Sequence, residues 1–248
     1  MNSRSEERSG AADDIWVRRA DAYDWAALGA ALDSHGAAVL PGLLEPAACA
    51  AAAGLYDEAG RFRKRVVMEG HGYGRGEYQY FATPLPPLVA ALRAALYPPL
   101  AMIANRWAAA LGETVRFPEA HAAFLDRCHA DGQTRPTPLL LRYGPGDYNR
   151  LHQDLYGAHV FPLQVVVLLS APGTDFEGGE FVLTEQRARM QSRVEVVPMG
   201  RGDAVVFAVH HRPVASPRGV ARAMMRHGVS RVRAGARTTL GVIFHDAA

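Results

Sequence analysis

Residues 139–157 read LLLRYGPGDYNRLHQDLYG, and near the end of this stretch a histidine and a carboxylate, His152 and Asp154, stand two positions apart. On an extended segment, side chains at i and i+2 leave the same face, so this imidazole and this carboxylate can converge on one point. The apolar run Leu139–Leu141 leads into a Gly144-Pro145-Gly146-Asp147 turn, which puts the pair where one strand has just reversed into the next. One imidazole and one carboxylate, completed by a second imidazole from a distant strand, form the facial set that holds non-haem ferrous iron and leaves three octahedral positions open. The stretch therefore predicts a metal site still short of one ligand.

Downstream, the texture is one of short β-rich runs. Eight are read, at 139–143, 148–155, 160–169, 180–185, 193–198, 204–209, 224–231 and 237–245, separated by turn residues such as Pro172-Gly173-Thr174-Asp175, Gly178-Gly179 and Gly200-Arg201-Gly202-Asp203. Upstream, helical spacing covers 22–34, 45–60, 88–111 with a break at Pro98-Pro99, and 119–130, with a short strand at 37–40. Eight antiparallel strands preceded by gathered helices predict an α+β protein with a mainly β core: a double-stranded β-helix, or jelly roll, with an N-terminal helical buttress. The expected organisation is a polar, frayed tail over 1–20 and one domain over 21–248, with helical support and a lid in 21–137 and the core in 138–248. The lid reading comes from 66–83, where glycines are mixed with Tyr73, Tyr78, Tyr80 and Phe81.

Five histidines follow the His152–Asp154 pair. His159 is too near in sequence for the chain to fold back, and His245 lies three residues from the end. His210 and His211 end an apolar strand on which adjacent residues face opposite ways, so one of them at most could turn inward. His227, inside the run 224–231, is favoured by position, with one of the 210/211 pair as runner-up. Gln153 should point away from the ion its neighbours bind, and His71, His121 and His129 lack partners at ligand spacing. Gln164 and Thr239 alternate with apolar neighbours and could face the pocket.

The ordered set RYGPGDYNRLHQD, FEGGEF, GRGDAVVF and RHGVSRVRAGARTTLGVIF, spanning about 139–246, resembles the Fe(II)- and 2-oxoglutarate-dependent dioxygenases, in their prolyl-hydroxylase-like branch. The resemblance implies Fe(II), 2-oxoglutarate and O2 as cofactor and cosubstrates. It matches the iron ligands to His152, Asp154 and, through a His-Gly-Val motif, His227. Arg237, ten positions after His227, matches the basic residue that binds the far carboxylate of 2-oxoglutarate, and Tyr143 matches a tyrosine that hydrogen-bonds the same group. A planar guanidinium suits that task because it can grip a carboxylate through two parallel hydrogen bonds.

Composition leaves the substrate open. Hydrophobic residues make up 49% and charged residues 21% of 248, no unbroken run of eighteen apolar residues is present, and the polar start lacks a signal-peptide core, so a cytoplasmic protein is expected. Cys49 and Cys128 stand apart in Ala-rich surroundings and should be buried, reduced thiols. A net charge of +2 permits a nucleic-acid partner without demanding one. The C-terminal part resembles a bacterial group of these oxygenases labelled as acting on damaged, methylated nucleic acid. Seven arginines between 212 and 237 (Arg212, Arg218, Arg222, Arg226, Arg231, Arg233, Arg237) would suit a phosphate-tracking face, and the aromatics in 73–81 could stack on a flipped base. The basic run Arg61–Arg65 is a further anion-contact candidate. The paired-arginine segment that alkylation-repair dioxygenases carry beyond the distal histidine is not reproduced. Hydroxylation of a prolyl, peptidyl or small-molecule substrate, and a non-catalytic jelly-roll or cupin-like module, are the competing readings.

Overall fold

The computed structural model describes residues 15–217 and 219–248. Of the expected tail, 1–14 lies outside the described residues, whereas 15–21 is helical and buries Ala20. Four longer helices follow: α1 (Trp25–His35), α2 (Pro46–Gly54), α3 (Pro87–Ala110) and α4 (His121–Ala130). Asp24 caps α1 by accepting hydrogen bonds from the Ala26 and Ala27 amides at 3.0 Å, and Gly36, at φ 79°, ends it in the left-handed conformation. Helix α3 runs unbroken through Pro98-Pro99, where an interruption was expected. Each proline removes a ladder hydrogen bond, at a cost of about 3 kcal/mol. The cost is offset because Leu96, Tyr97, Leu100, Ala101 and Ala104, on both sides of the pair, are buried in the main core. By length and composition α3 could cross a bilayer, yet 61% of its most apolar stretch is buried inside the protein, where it forms the core helix.

The strands of the first half are β1 (Ala37–Leu40), β2 (Phe62–Val67), β3 (Gly74–Arg75), β4 (Glu77–Phe81), β5 (Leu139–Tyr143), β6 (Tyr148–His152) and β7 (Leu163–Leu168). Those of the second half are β8 (Phe176–Gly178), β9 (Phe181–Gln186), β10 (Arg193–Val197), β11 (Ala204–Ala208), β12 (His211–Ser216), β13 (Gly219–Val229), β14 (Val232–Gly235) and β15 (Arg237–Val242). A major sheet has the order β1-β11-β7-β15-β5-β4-β2, a minor sheet the order β10-β9-β13-β6-β3 with β12 added to β13, and β14 pairs with β8. All recorded ladders are antiparallel, and two facing sheets backed by helices make the double-stranded β-helix that the sequence predicts.

Every residue of β7, β11 and β15 is buried, because one face of these strands meets the helices and the other meets the minor sheet. By contrast β9 alternates buried and half-buried residues, the mark of a strand with one wet face. In the segment 66–83, expected as irregular extended structure and a lid, half of the residues are in strands: β4 sits between β5 and β2 in the major sheet, and β3 extends the minor one. Tyr78 and Tyr80 alternate at the strand period, but the run is short and follows the closely spaced glycines at 70, 72, 74 and 76. Four further strands, β2, β8, β12 and β14, were not anticipated; they are short or polar, and their sequence signal is correspondingly weak.

Candidate active site

Strands β6 and β13 bring the two histidines together, since His152 and His227 are direct partners across the minor sheet, with ring centroids 4.2 Å apart. The register shifts between His227 and Val229, and a Cβ on the intervening Gly228 would lie 2.7 Å from the Asn149 carbonyl oxygen. The glycine of the His-Gly-Val motif is thus the residue that lets β13 approach β6 closely enough to seat the imidazole. Asp154 follows the end of β6 and turns inward, 8% exposed. Its Oδ1 lies 3.5 Å from His152 Nε2 and its Oδ2 lies 3.4 Å from His227 Nε2. All three donor atoms fall within 4.8 Å of one another, and the set is the one such cluster among the described residues.

Local hydrogen bonds aim these donors. His152 Nδ1 is 2.7 Å from the Arg150 carbonyl, so Nδ1 carries the proton and Nε2 presents its lone pair. The Tyr156 hydroxyl donates to Asp154 Oδ1 at 2.8 Å, and Tyr80 lies 3.2 Å behind it. The His227 ring is held against Phe207 at 4.6 Å and Phe181 at 6.2 Å. Burial opposes charge on the Asp154 carboxyl, but the hydrogen bonds and charges that His152 and His227 offer when protonated outweigh it and hold the group well below the usual carboxylate range. Burial likewise pushes the His227 imidazole down, toward its neutral form. Two imidazole nitrogens and an ionised carboxylate form a donor set fit for a divalent first-row metal. Two ligands at about 2.1 Å on adjacent octahedral positions stand about 3 Å apart, close to the separations found here.

The major sheet supplies the rest of a cavity of about 410 Å³ in which the triad sits. Strand alternation explains its lining: Leu139, Leu141 and Tyr143 from β5, Arg237, Thr239 and Gly241 from β15, and Gln164 and Val166 from β7 all point the same way. Arg237 and Tyr143 are register partners. Arg237 is 2% exposed, its guanidinium lies 5.7 Å from the Tyr143 ring centroid and 6.0 Å from that of Phe176, and among the described residues no carboxylate pairs with it. Arg237 Nε, the Tyr143 hydroxyl and Gln164 Oε1 are all buried without a hydrogen-bond partner. Burial lowers Arg237 to about 10, so it stays cationic at neutral pH; burial raises the Tyr143 phenol to about 12, against the pull of the Arg237 charge. Orphaned polar groups cost roughly 1–3 kcal/mol each. A buried cation and a phenolic hydroxyl, both donors left without an acceptor in one cavity, fit a ligand that brings its own carboxylate, whereas the Gln164 Oε1 acceptor has no part in that preference.

The remaining histidines lie elsewhere. The runner-up pair is engaged with itself and with Glu113, His211 Nε2 standing 3.2 Å from that carboxylate. His159 pairs with Asp131, His129 with Asp246, and His121 meets the Phe244 carbonyl at 2.8 Å. Gln153 points away, donating to the His210 and Met225 carbonyls at 3.1 and 2.7 Å. Cys49 and Cys128 are buried and unpaired. The seven arginines do not form one face: Arg212 is fully buried against Glu185, Arg237 lines the cavity, Arg222 bridges Glu113 at 2.8 Å, Arg233 lies 3.6 Å from Glu180, and Arg218 is outside the described residues. Tyr156 was overlooked, although its place two positions after Asp154 is the same signal that singled out the His-x-Asp pair.

Residues 76–247 match the family model Oxygenase-NA, described as an oxygenase catalysing oxidative methylation of damaged DNA. Uncharacterized proteins of two Mycobacterium tuberculosis strains are each 47% identical over 196 residues, covering 77% of this chain and 84% of theirs. Among solved structures, a 2OG-Fe(II) oxygenase family protein of Burkholderia pseudomallei superposes with TM-score 0.52 at 17% identity, covering 92% of this chain and 94% of that one. A prolyl 4-hydroxylase of Phytophthora capsici superposes with TM-score 0.54 at 18% identity, covering 94% and 65%. At such identities the structural likeness speaks for the fold.

Proposed function

The chain belongs to the Oxygenase-NA family, and on that premise we propose that it is an Fe(II)- and 2-oxoglutarate-dependent oxygenase that oxidises an N-methyl group on a damaged nucleobase. One observation carries the reading: a His-Asp-His donor triad shares a single cavity with a buried arginine that has no counter-ion among the described residues. His152, Asp154 and His227 would hold the iron. Arg237, helped by the Tyr143 hydroxyl, would take the far carboxylate of 2-oxoglutarate, and Gln164 and Thr239 line the space beside it.

When bound, the iron lets dioxygen oxidise 2-oxoglutarate to succinate and carbon dioxide while the second oxygen atom enters a substrate C–H bond. On an N-methyl group the product is a hydroxymethylamine, which breaks its C–N bond to release formaldehyde and return the N–H; such chemistry removes methyl groups. The chain's own residues prepare the site. Tyr156 fixes the rotation of the Asp154 carboxylate, and Phe207 and Phe181 hold the His227 ring and keep water from it. Arg237 selects a diacid and sets its orientation. Tyr73, Tyr78 and Tyr80 offer flat faces at the cavity wall on which an unstacked base can rest. The buried thiols suit the reducing cytoplasmic setting that is part of the proposal.

The test is succinate and formaldehyde release with ferrous iron, 2-oxoglutarate and an N-methylated single-stranded oligonucleotide, comparing the wild type with Asp154→Ala. Coupled release by the wild type alone is expected. Succinate production stimulated by a prolyl peptide and not by the oligonucleotide would remove the nucleobase assignment, and equal turnover by Asp154→Ala would remove the oxygenase reading, leaving a non-catalytic module.

A further inference from the structure

A second, smaller depression of about 240 Å³ adjoins the cavity and shares with it Tyr73, Tyr78, Tyr80 and Tyr156. Its lining also includes Arg63, Lys64 and Arg135, beside Ala247 and Ala248. Strand β2, which supplies the first two, is the free edge of the major sheet. Consecutive residues of a regular strand point to opposite faces, yet Arg63 and Lys64 both line the depression. The pairing of β2 with β4 explains this, because the register shifts between Phe62 and Lys64, a bulge that re-aims a side chain.

The pattern of ion pairs separates these cations from their neighbours. Within the basic run, Arg61 is paired with Glu58 and Arg65 with Glu77. Among the described residues, Arg63, Lys64 and Arg135 have no carboxylate partner. The Arg63 guanidinium is held by the Pro136 carbonyl at 2.9 Å and lies 4.7 Å from the Tyr80 ring centroid. Arg135 has its backbone pinned to Ala247 by two hydrogen bonds of 2.9 and 2.8 Å, which leaves its exposed side chain free. Beside them His71 stacks on Tyr73, centroids 5.3 Å apart, and both are exposed. Cations that track a backbone next to aromatic faces that take bases are the two elements of single-strand recognition.

We propose that Arg63, Lys64 and Arg135 form a phosphate-binding subsite for the strand whose methylated nucleotide enters the cavity, with the tyrosine wall separating phosphate from reacting base. This rests on the nucleic-acid reading above and locates the phosphate face at the β2 edge, away from the 212–237 arginines.

The experiment is fluorescence anisotropy of a labelled, unmethylated single-stranded oligonucleotide of about 12 nucleotides with the full chain, titrated between about 50 and 200 mM salt. Lys64→Gln/Arg135→Gln is expected to weaken binding about tenfold and to reduce the log–log salt slope by about 1.4, about 0.7 for each single-strand phosphate that the variant no longer neutralises. The charge-keeping pair Lys64→Arg/Arg135→Lys should restore both values, and Arg18→Gln/Arg201→Gln, outside the depression, should leave the slope unaltered. A double variant that stays folded by its Tm and keeps the wild-type slope, while the wild type still binds and demethylates, overturns the subsite alone. Wild type that demethylates no oligonucleotide overturns the underlying substrate assignment as well. Polyglutamate that binds as tightly and is released in the same variant identifies an acidic-peptide face and overturns the proposal.

Discussion

Arg237→Met tests the cavity most directly, because two effects of opposite sign are expected from one change. In the unliganded protein the guanidinium is 2% exposed, has an orphaned Nε and lacks a counter-ion among the described residues. A methionine of similar reach removes that buried charge, so the Tm without cosubstrate should hold or rise. With 2-oxoglutarate the sign reverses. The far carboxylate then enters a dry cavity with no cation to meet it, and breaking one side of a buried pair costs about 3–5 kcal/mol, or about two to three and a half orders of magnitude in affinity. Isothermal titration of an unreactive 2-oxoglutarate analogue into the metal-loaded protein measures the second effect, differential scanning fluorimetry the first, and metal retention after gel filtration serves as control. A loss of affinity below tenfold, or a parallel loss of metal, would refute the assignment of this arginine to the cosubstrate.

Other consequences are as specific. Tyr156→Phe frees Asp154 Oδ1 from its 2.8 Å hydrogen bond and should weaken metal binding by about 10–100-fold while leaving analogue affinity at saturating metal within about threefold, read by competition with a chromogenic chelator. Gly228→Ala forces a Cβ to within 2.7 Å of the Asn149 carbonyl oxygen, so β13 and β6 must separate; metal affinity should fall more than about tenfold, with a Tm loss of only a few degrees. Burial lowers the imidazoles of His121 and His245 to about 4, so between about pH 6.5 and 4 the unfolded chain binds more protons and stability rises with pH. Acidification through that window should cost at most about 3 kcal/mol for each histidine. In urea unfolding at about pH 7 and 5, His121→Gln should lose less stability than the wild type; an identical loss would contradict the assignment.

The His-x-Asp spacing could be read from the chain because it is a local fact: two side chains on one face of one extended segment need only the strand period. The same holds for the apolar runs that became β7, β11 and β15, which are buried on both faces and carry an unmistakable composition. The places of His227 beside the pair and of Arg237 in the same cavity were legible by resemblance. Physics of spacing alone left His227 in competition with His210–His211, since nothing local says which distant strand will lie beside β6. The polar strand β12 was missed because its periodicity is weak, and the β4 segment because its short run follows closely spaced glycines; both draw stability from the strands they pair with.

By itself, then, the sequence determined an iron-type donor pair on a β-turn-β unit, the jelly-roll class, and a buried, reduced state for both cysteines. Only the tertiary structure decided the rest: that β13 is the neighbour of β6, that Arg237 lies in the cavity of the triad with no ion-pair partner among the described residues, that Tyr156 braces Asp154, and that a bulge turns Arg63 and Lys64 to the same side. These are outcomes of sheet order and register. Periodicity along a strand encodes which face a residue takes but carries no information about which strand will face it.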